Sequence, residues 1–168
     1  MPDPFQGLMP SVLDRLIDAE SAGTPARQGY GLAQMEDAVR RDLEDLLNTR
    51  RPPEGLFDGL AEVPASVANY GLRDLARFDN ITDAQREVVA RHIADVIAAF
   101  EPRLVDVQVS VRSPDEARER SGAGGVSAIT ALYFRVTARL NLEPSPDVAF
   151  ETVLELTKGR HQVLKDGA

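Results

Sequence analysis

The sequence predicts an α+β fold: N-terminal helices followed by a three- to four-stranded antiparallel meander, with a helix packed on one face of the sheet. Two observations lead there. Apolar residues recur at spacings of three and four up to Phe100 and at every second position from Val105 onward. The change of period falls on "AFEPRL", where Pro102 disfavours helical geometry at Glu101 and so ends the last helix. Helices first and a meander afterwards make an α+β domain in which helix covers the apolar sheet face.

The elements follow in order. In "PSVLDRLIDAE" Ser11 can cap a short helix whose stripe is Val12, Leu13, Leu16 and Ile17. That run fits either a helix on the domain's own core or an arm (residues 1–34) that docks on a partner, because "SAGTPARQGYG" follows it. "QMEDAVRRDLEDLLNTRRPP" carries Met35, Val39, Leu43, Leu46 and Leu47 on one face and stops at Pro52 and Pro53. "SVANYGLRDL" reads as a helical turn, a left-handed glycine at Gly71 and a second turn. Thr82 and Gln85 form a capping box ahead of an apolar face of Val88, Val89, Ile93, Val96, Ile97 and Phe100. Strands follow at "VDVQVSV", with Val105, Val107, Val109 and Val111 on one side, at "ITALYFRVTARLNL" and at "VAFETVLEL". Placing Arg139 opposite Glu151, Arg135 opposite Glu155 and Leu140 opposite Phe150 matches charges on one face and apolar groups on the other. A domain over residues 35–163 with a tail at 164–168 is expected.

Composition narrows the function. A chain of 168 residues, 43% hydrophobic, can bury a real core. Its net charge of -8 speaks against sequence-independent nucleic-acid binding, which needs a basic face. Without cysteine there are no disulfides or thiolate metal sites, and the two histidines, His92 and His161, have no partner at metal-ligand spacing. No apolar run is long enough to span a bilayer, and "MPDPFQGLMP" lacks the features of a secretory signal, so a cytoplasmic protein is expected. No metal and no cofactor is expected. Glu101 is the one candidate catalytic acid. A glycosidase needs two carboxyls, one of them held protonated, whereas Arg103 beside Glu101 favours the charged form. An ion-paired structural or docking residue therefore describes Glu101 better than a catalyst.

Three stretches in order, "DLEDLLNTRRP", "SVANYGLRDL" and "FEPRL" followed by alternating strands, resemble the TssE family of type VI secretion baseplate subunits and, more remotely, the baseplate wedge proteins of contractile phage tails. The resemblance runs from about Ser11 to Val163. It places the family's signature at Asn48, Arg50 and Arg51, at Asn69, Tyr70, Gly71 and Leu72 with an acid at Asp74, and at Glu101, Pro102 and Arg103. Arg73 stands where the familiar motif has proline. The resemblance implies a non-enzymatic subunit that assembles into the wedge and templates the contractile sheath, although such families also carry a lysozyme-like label. Implied partners are other wedge subunits (TssF, TssG and TssK type) and sheath subunits (TssB and TssC type), at a baseplate docked to an inner membrane complex, with neither nucleic-acid binding nor membrane insertion. A related phage-like injection particle is the neighbouring alternative.

Overall fold

The computed structural model describes residues 30–53, 55–57, 59–63, 66–73, 82–116 and 131–165. The chain divides into two compact units, Met1–Asp42 and Leu43–Ala168. Helix α1 (Leu32–Asn48) begins in the first and ends in the second. In the first unit its buried residues are Met35, Ala38 and Val39, the spacing expected of one helical face. The short helix expected at Ser11 lies outside the described residues.

In the second unit α1 contributes buried Leu43, Leu46 and Leu47. A 3-10 turn η1 (Val67–Asn69), helix α2 (Asp83–Phe100) and four strands follow: β1 (Leu104–Arg112), β2 (Ala131–Leu140), β3 (Asp147–Glu155) and β4 (Arg160–Lys165). The strands form one antiparallel sheet in the order β1-β2-β3-β4, which is the expected α+β meander. The capping box forms as read: Thr82 accepts from the Gln85 N–H and the Gln85 side chain accepts from the Thr82 N–H. Helix α2 packs against β1 and β2 and buries Val89, Ala90, Ile93, Val96 and Ile97. Val88, expected on that face, is instead 52% exposed, since Ala90 takes the inward position at the edge of the stripe.

Two expectations about the sheet need correction, and a third feature of it was not foreseen. Strand β2 is slid by four residues along β3 relative to the charge-matched register: Arg135 faces Glu151, Val136 faces Phe150 and Arg139 faces Asp147. Pairing continues to a tighter turn, closed by the Leu140 N–H on the Pro146 carbonyl at 2.9 Å and the Ser145 hydroxyl on the Leu140 carbonyl at 2.7 Å. Because the slide is even, every side chain keeps its face. In β1 the register shifts between Val105 and Gln108, a bulge at which Asp106 adopts φ 54°. The extra residue puts Leu104, opposite Leu140, on the core face and turns Val105 toward the face of Arg139. Lastly, the charged face is not a solvated one. Ala131, Tyr133 and Val153 form a buried cluster there, and Glu151 is 2% exposed with Arg135 at 3.6 Å.

Candidate functional site

The Glu-Pro-Arg corner joins α2 to β1. Glu101 is the C-cap of α2, with φ -118° and its N–H on the Ile97 carbonyl, so the helix stops where Pro102 requires. The carboxylate is 5% exposed and is gripped by its own neighbour: Arg103 Nε donates to Oε1 at 2.7 Å, Nη2 donates to Oε2, and the Arg103 N–H donates to Oε1 at 3.2 Å. This two-pronged guanidinium–carboxylate contact is the strong form of a charged hydrogen bond. It fixes the direction in which β1 leaves the helix. Of the three residues only Pro102 is exposed, and Arg103 is partly so.

Asn48, at the other end of the sheet, has a different task. Its Nδ2 donates to the Glu44 carbonyl one turn back (2.8 Å) and to the His161 carbonyl (2.9 Å), while its Oδ1 accepts the His161 N–H (2.9 Å). A side-chain amide thereby pairs with the outer edge of β4 as a neighbouring strand would. Glu44 adds a second contact, its carboxylate accepting the Val163 N–H at 3.3 Å. His161 is 2% exposed, and burial pushes its imidazole down to about 4; Thr152 Oγ1 lies 3.4 Å from Nδ1.

The middle motif returns to the end of α1. Arg50 and Leu72 form a parallel bridge, with the Leu72 N–H on the Thr49 carbonyl (2.9 Å) and the Arg51 N–H on the Leu72 carbonyl (2.8 Å). Gly71 is required there twice over: its φ is 108°, and a Cβ would stand 2.3 Å from the Thr49 oxygen. Close backbone approach therefore explains this glycine more completely than the helix cap expected for it. Tyr70 stacks edge-on against Phe100 with centroids 5.4 Å apart, next to Glu101, while Asn69 and Leu72 are buried. Arg50 and Arg73 are exposed and line one small pocket with Asn48, Leu72 and His161. Asp74 lies outside the described residues.

The expected site residues thus fall into two structural groups, a corner at 101–103 and a clip at 48–51 and 71–72, with Tyr70 near the first. Sequence reasoning missed Glu44, His161 and the Arg139–Asp106 pair, in which Arg139 Nε donates to Asp106 Oδ2 at 2.9 Å across the bulge. Their partners lie 33 to 119 positions away, and no local pattern announces them. Among the described residues no group of His, Cys, Asp and Glu could hold a metal ion, and no helix is long and apolar enough to cross a membrane.

Among solved structures, the chain is similar to a component of "The baseplate complex from the type VI secretion system", at 17% identity and a TM-score of 0.45, covering 72% of this chain and 94% of that one. No curated protein matches it. The baseplate wedge protein gp25 family matches residues 33–145, more than half of the chain and both structural groups, and this protein belongs to that family.

Proposed function

We propose that this chain is the TssE-type subunit of a type VI secretion baseplate, a non-enzymatic part that joins the wedge and offers a sheet edge on which the contractile sheath begins to polymerise. The observation that carries the reading is the inequality of the two sheet edges. β4 is clipped by Asn48 and Glu44, whereas β1 is the outer strand on the other side. By the alternation of an antiparallel ladder, the N–H and C=O groups of Val107, Val109 and Val111 point outward from β1. An edge of that kind accepts a strand from a neighbour. The motif combination of the TssE resemblance supports the type VI assignment, with wedge partners of TssF, TssG and TssK type and sheath partners of TssB and TssC type. In this reading residues 35–163 act as one baseplate domain located at the cytoplasmic face of an inner membrane complex.

The glycosidase reading finds no support at Glu101, both of whose oxygens are engaged by Arg103. Val109→Pro tests the proposal. Proline removes an outward N–H that β2 does not use, so the fold should persist with a stability loss of about 1 kcal/mol from the trimmed side chain. Baseplates reconstituted with this variant should bind the other wedge subunits and fail to nucleate sheath. Normal sheath growth from them would refute templating at β1.

A further inference from the structure

The connector between α1 and η1 contains a small duplication. "EGLF" and "DGLA" (residues 54–61) repeat acid, glycine, leucine and an apolar residue at a period of four. The backbone repeats with the sequence. The Leu56 N–H donates to the Pro53 carbonyl at 3.4 Å and the Leu60 N–H to the Phe57 carbonyl at 3.2 Å, so each leucine closes a four-residue turn. The third residues of the two turns are Gly55 and Gly59, with φ 86° and 82°, the value that a type II turn demands. Around Gly59 a Cβ would meet nothing within 4 Å, so the glycine serves the turn and not close packing.

Each turn sets its leucine outward: Leu56 is 62% and Leu60 is 56% exposed, and Val67 at the start of η1 is 86% exposed. Of the four large apolar residues exposed among the described residues, three belong to this one stretch. Scattered apolar residues need no explanation, but a repeated turn that presents the same side chain twice does. Charge supplies the partner's character. From Pro53 to Leu72 the chain carries Glu54, Asp58 and Glu62 and no lysine or arginine. We infer that Leu56, Leu60 and Val67 mark a docking ridge whose occupant is another wedge subunit presenting an apolar groove rimmed by lysine and arginine. This rests on the reading of the chain as a baseplate subunit. The acidic sequence of this stretch favours a basic partner and opposes an anionic bilayer.

The test uses the full chain and purified TssF-, TssG- and TssK-type wedge subunits as probes. L56S/L60S should keep the wild-type melting temperature and lose at least tenfold in affinity for one of them. Gly59→Ala, which strains the turn without a clash, and Glu62→Lys, which reverses the rim charge, should each weaken the same interaction several-fold, the second in a salt-dependent way, and these single changes decide the matter if the double variant unfolds. If wild type binds and all the variants bind equally well, the ridge is wrong and the baseplate reading stands. If wild type binds none of the three subunits, both fall. Self-association of the wild type that L56S/L60S abolishes would identify a second copy as the occupant and overturn the inference. Leucine-dependent binding to phosphatidylglycerol vesicles would overturn it in favour of a membrane.

Discussion

At the β4 edge, the outward N–H and C=O of His161 are both taken by the Asn48 amide, and the Val163 N–H is taken by Glu44. At the β1 edge the outward groups of Val107, Val109 and Val111 meet no strand or clip among the described residues, and the only interruption is the bulge at Asp106. One sheet therefore ends in two ways. Natural sheets cover edges to prevent unwanted pairing, and closure of the β4 edge with no counterpart on β1 among the described residues supports the proposed use of β1. Asn48, counted by resemblance among the interaction residues, ties Glu44 and His161 together at the closed edge, and Glu101 is held by Arg103 at the corner.

The largest expected effect comes from opening the closed edge. Asn48→Ala removes three hydrogen bonds and strands the backbone polar groups of His161 in a buried position. At about 1 kcal/mol for a bond and about 1 to 3 for an orphaned group, urea denaturation should report a loss of about 3 kcal/mol. Amide exchange at His161 should accelerate more than at Gln162, whose backbone faces β3. Equal acceleration at both positions would mean global loosening and not an opened edge.

At the start of the open edge, Glu101→Gln tests whether the corner is held from within. The amide can still accept from Arg103, but the charge and the second prong are lost and the guanidinium is left partly buried. Breaking a buried pair costs about 3 to 5 kcal/mol, and partial exposure of Arg103 brings the expectation to about 2. An unchanged unfolding midpoint with severely weakened wedge binding would return Glu101 to an intermolecular role.

How much of this was legible depends on sequence distance. The capping box, the stop at Glu101 and the alternation of β2 are local and were readable from spacing alone. The chain-neighbour contact of Glu101 and Arg103 was readable too, because two residues and a proline leave little freedom. The β2–β3 register was not: Arg139 and Arg135 can meet Glu151 and Glu155 or Asp147 and Glu151 with the same face pattern, and only the geometry of the turn chooses. β4 was not located either. Its six residues, "RHQVLK", carry only His161 and Val163 inward, too short an alternation to stand out. The bulge hides for the same reason, since a run of alternating valines shows no sign of the residue that breaks its pleat.

A further effect is a pH dependence located at the closed edge. The His161 imidazole is buried beside the Thr152 hydroxyl; burial holds its folded value at about 4, against about 6.5 when exposed in the unfolded chain. Between those values the unfolded state binds the extra proton, so stability is full above about pH 7, declines as pH falls through 6.5 and stops declining from this cause below about 4. The loss between pH 7 and pH 5 should be about 2 kcal/mol. Carboxylates elsewhere also titrate in acid, so the measurement is a difference: urea unfolding of wild type and His161→Leu at both values of pH. The leucine variant lacks the titrating ring and keeps the backbone groups that Asn48 clips, so its stability should fall by about 2 kcal/mol less than that of wild type. If both proteins lose the same amount, His161 is hydrated in the native state and the clip at β4 is looser than its hydrogen bonds imply.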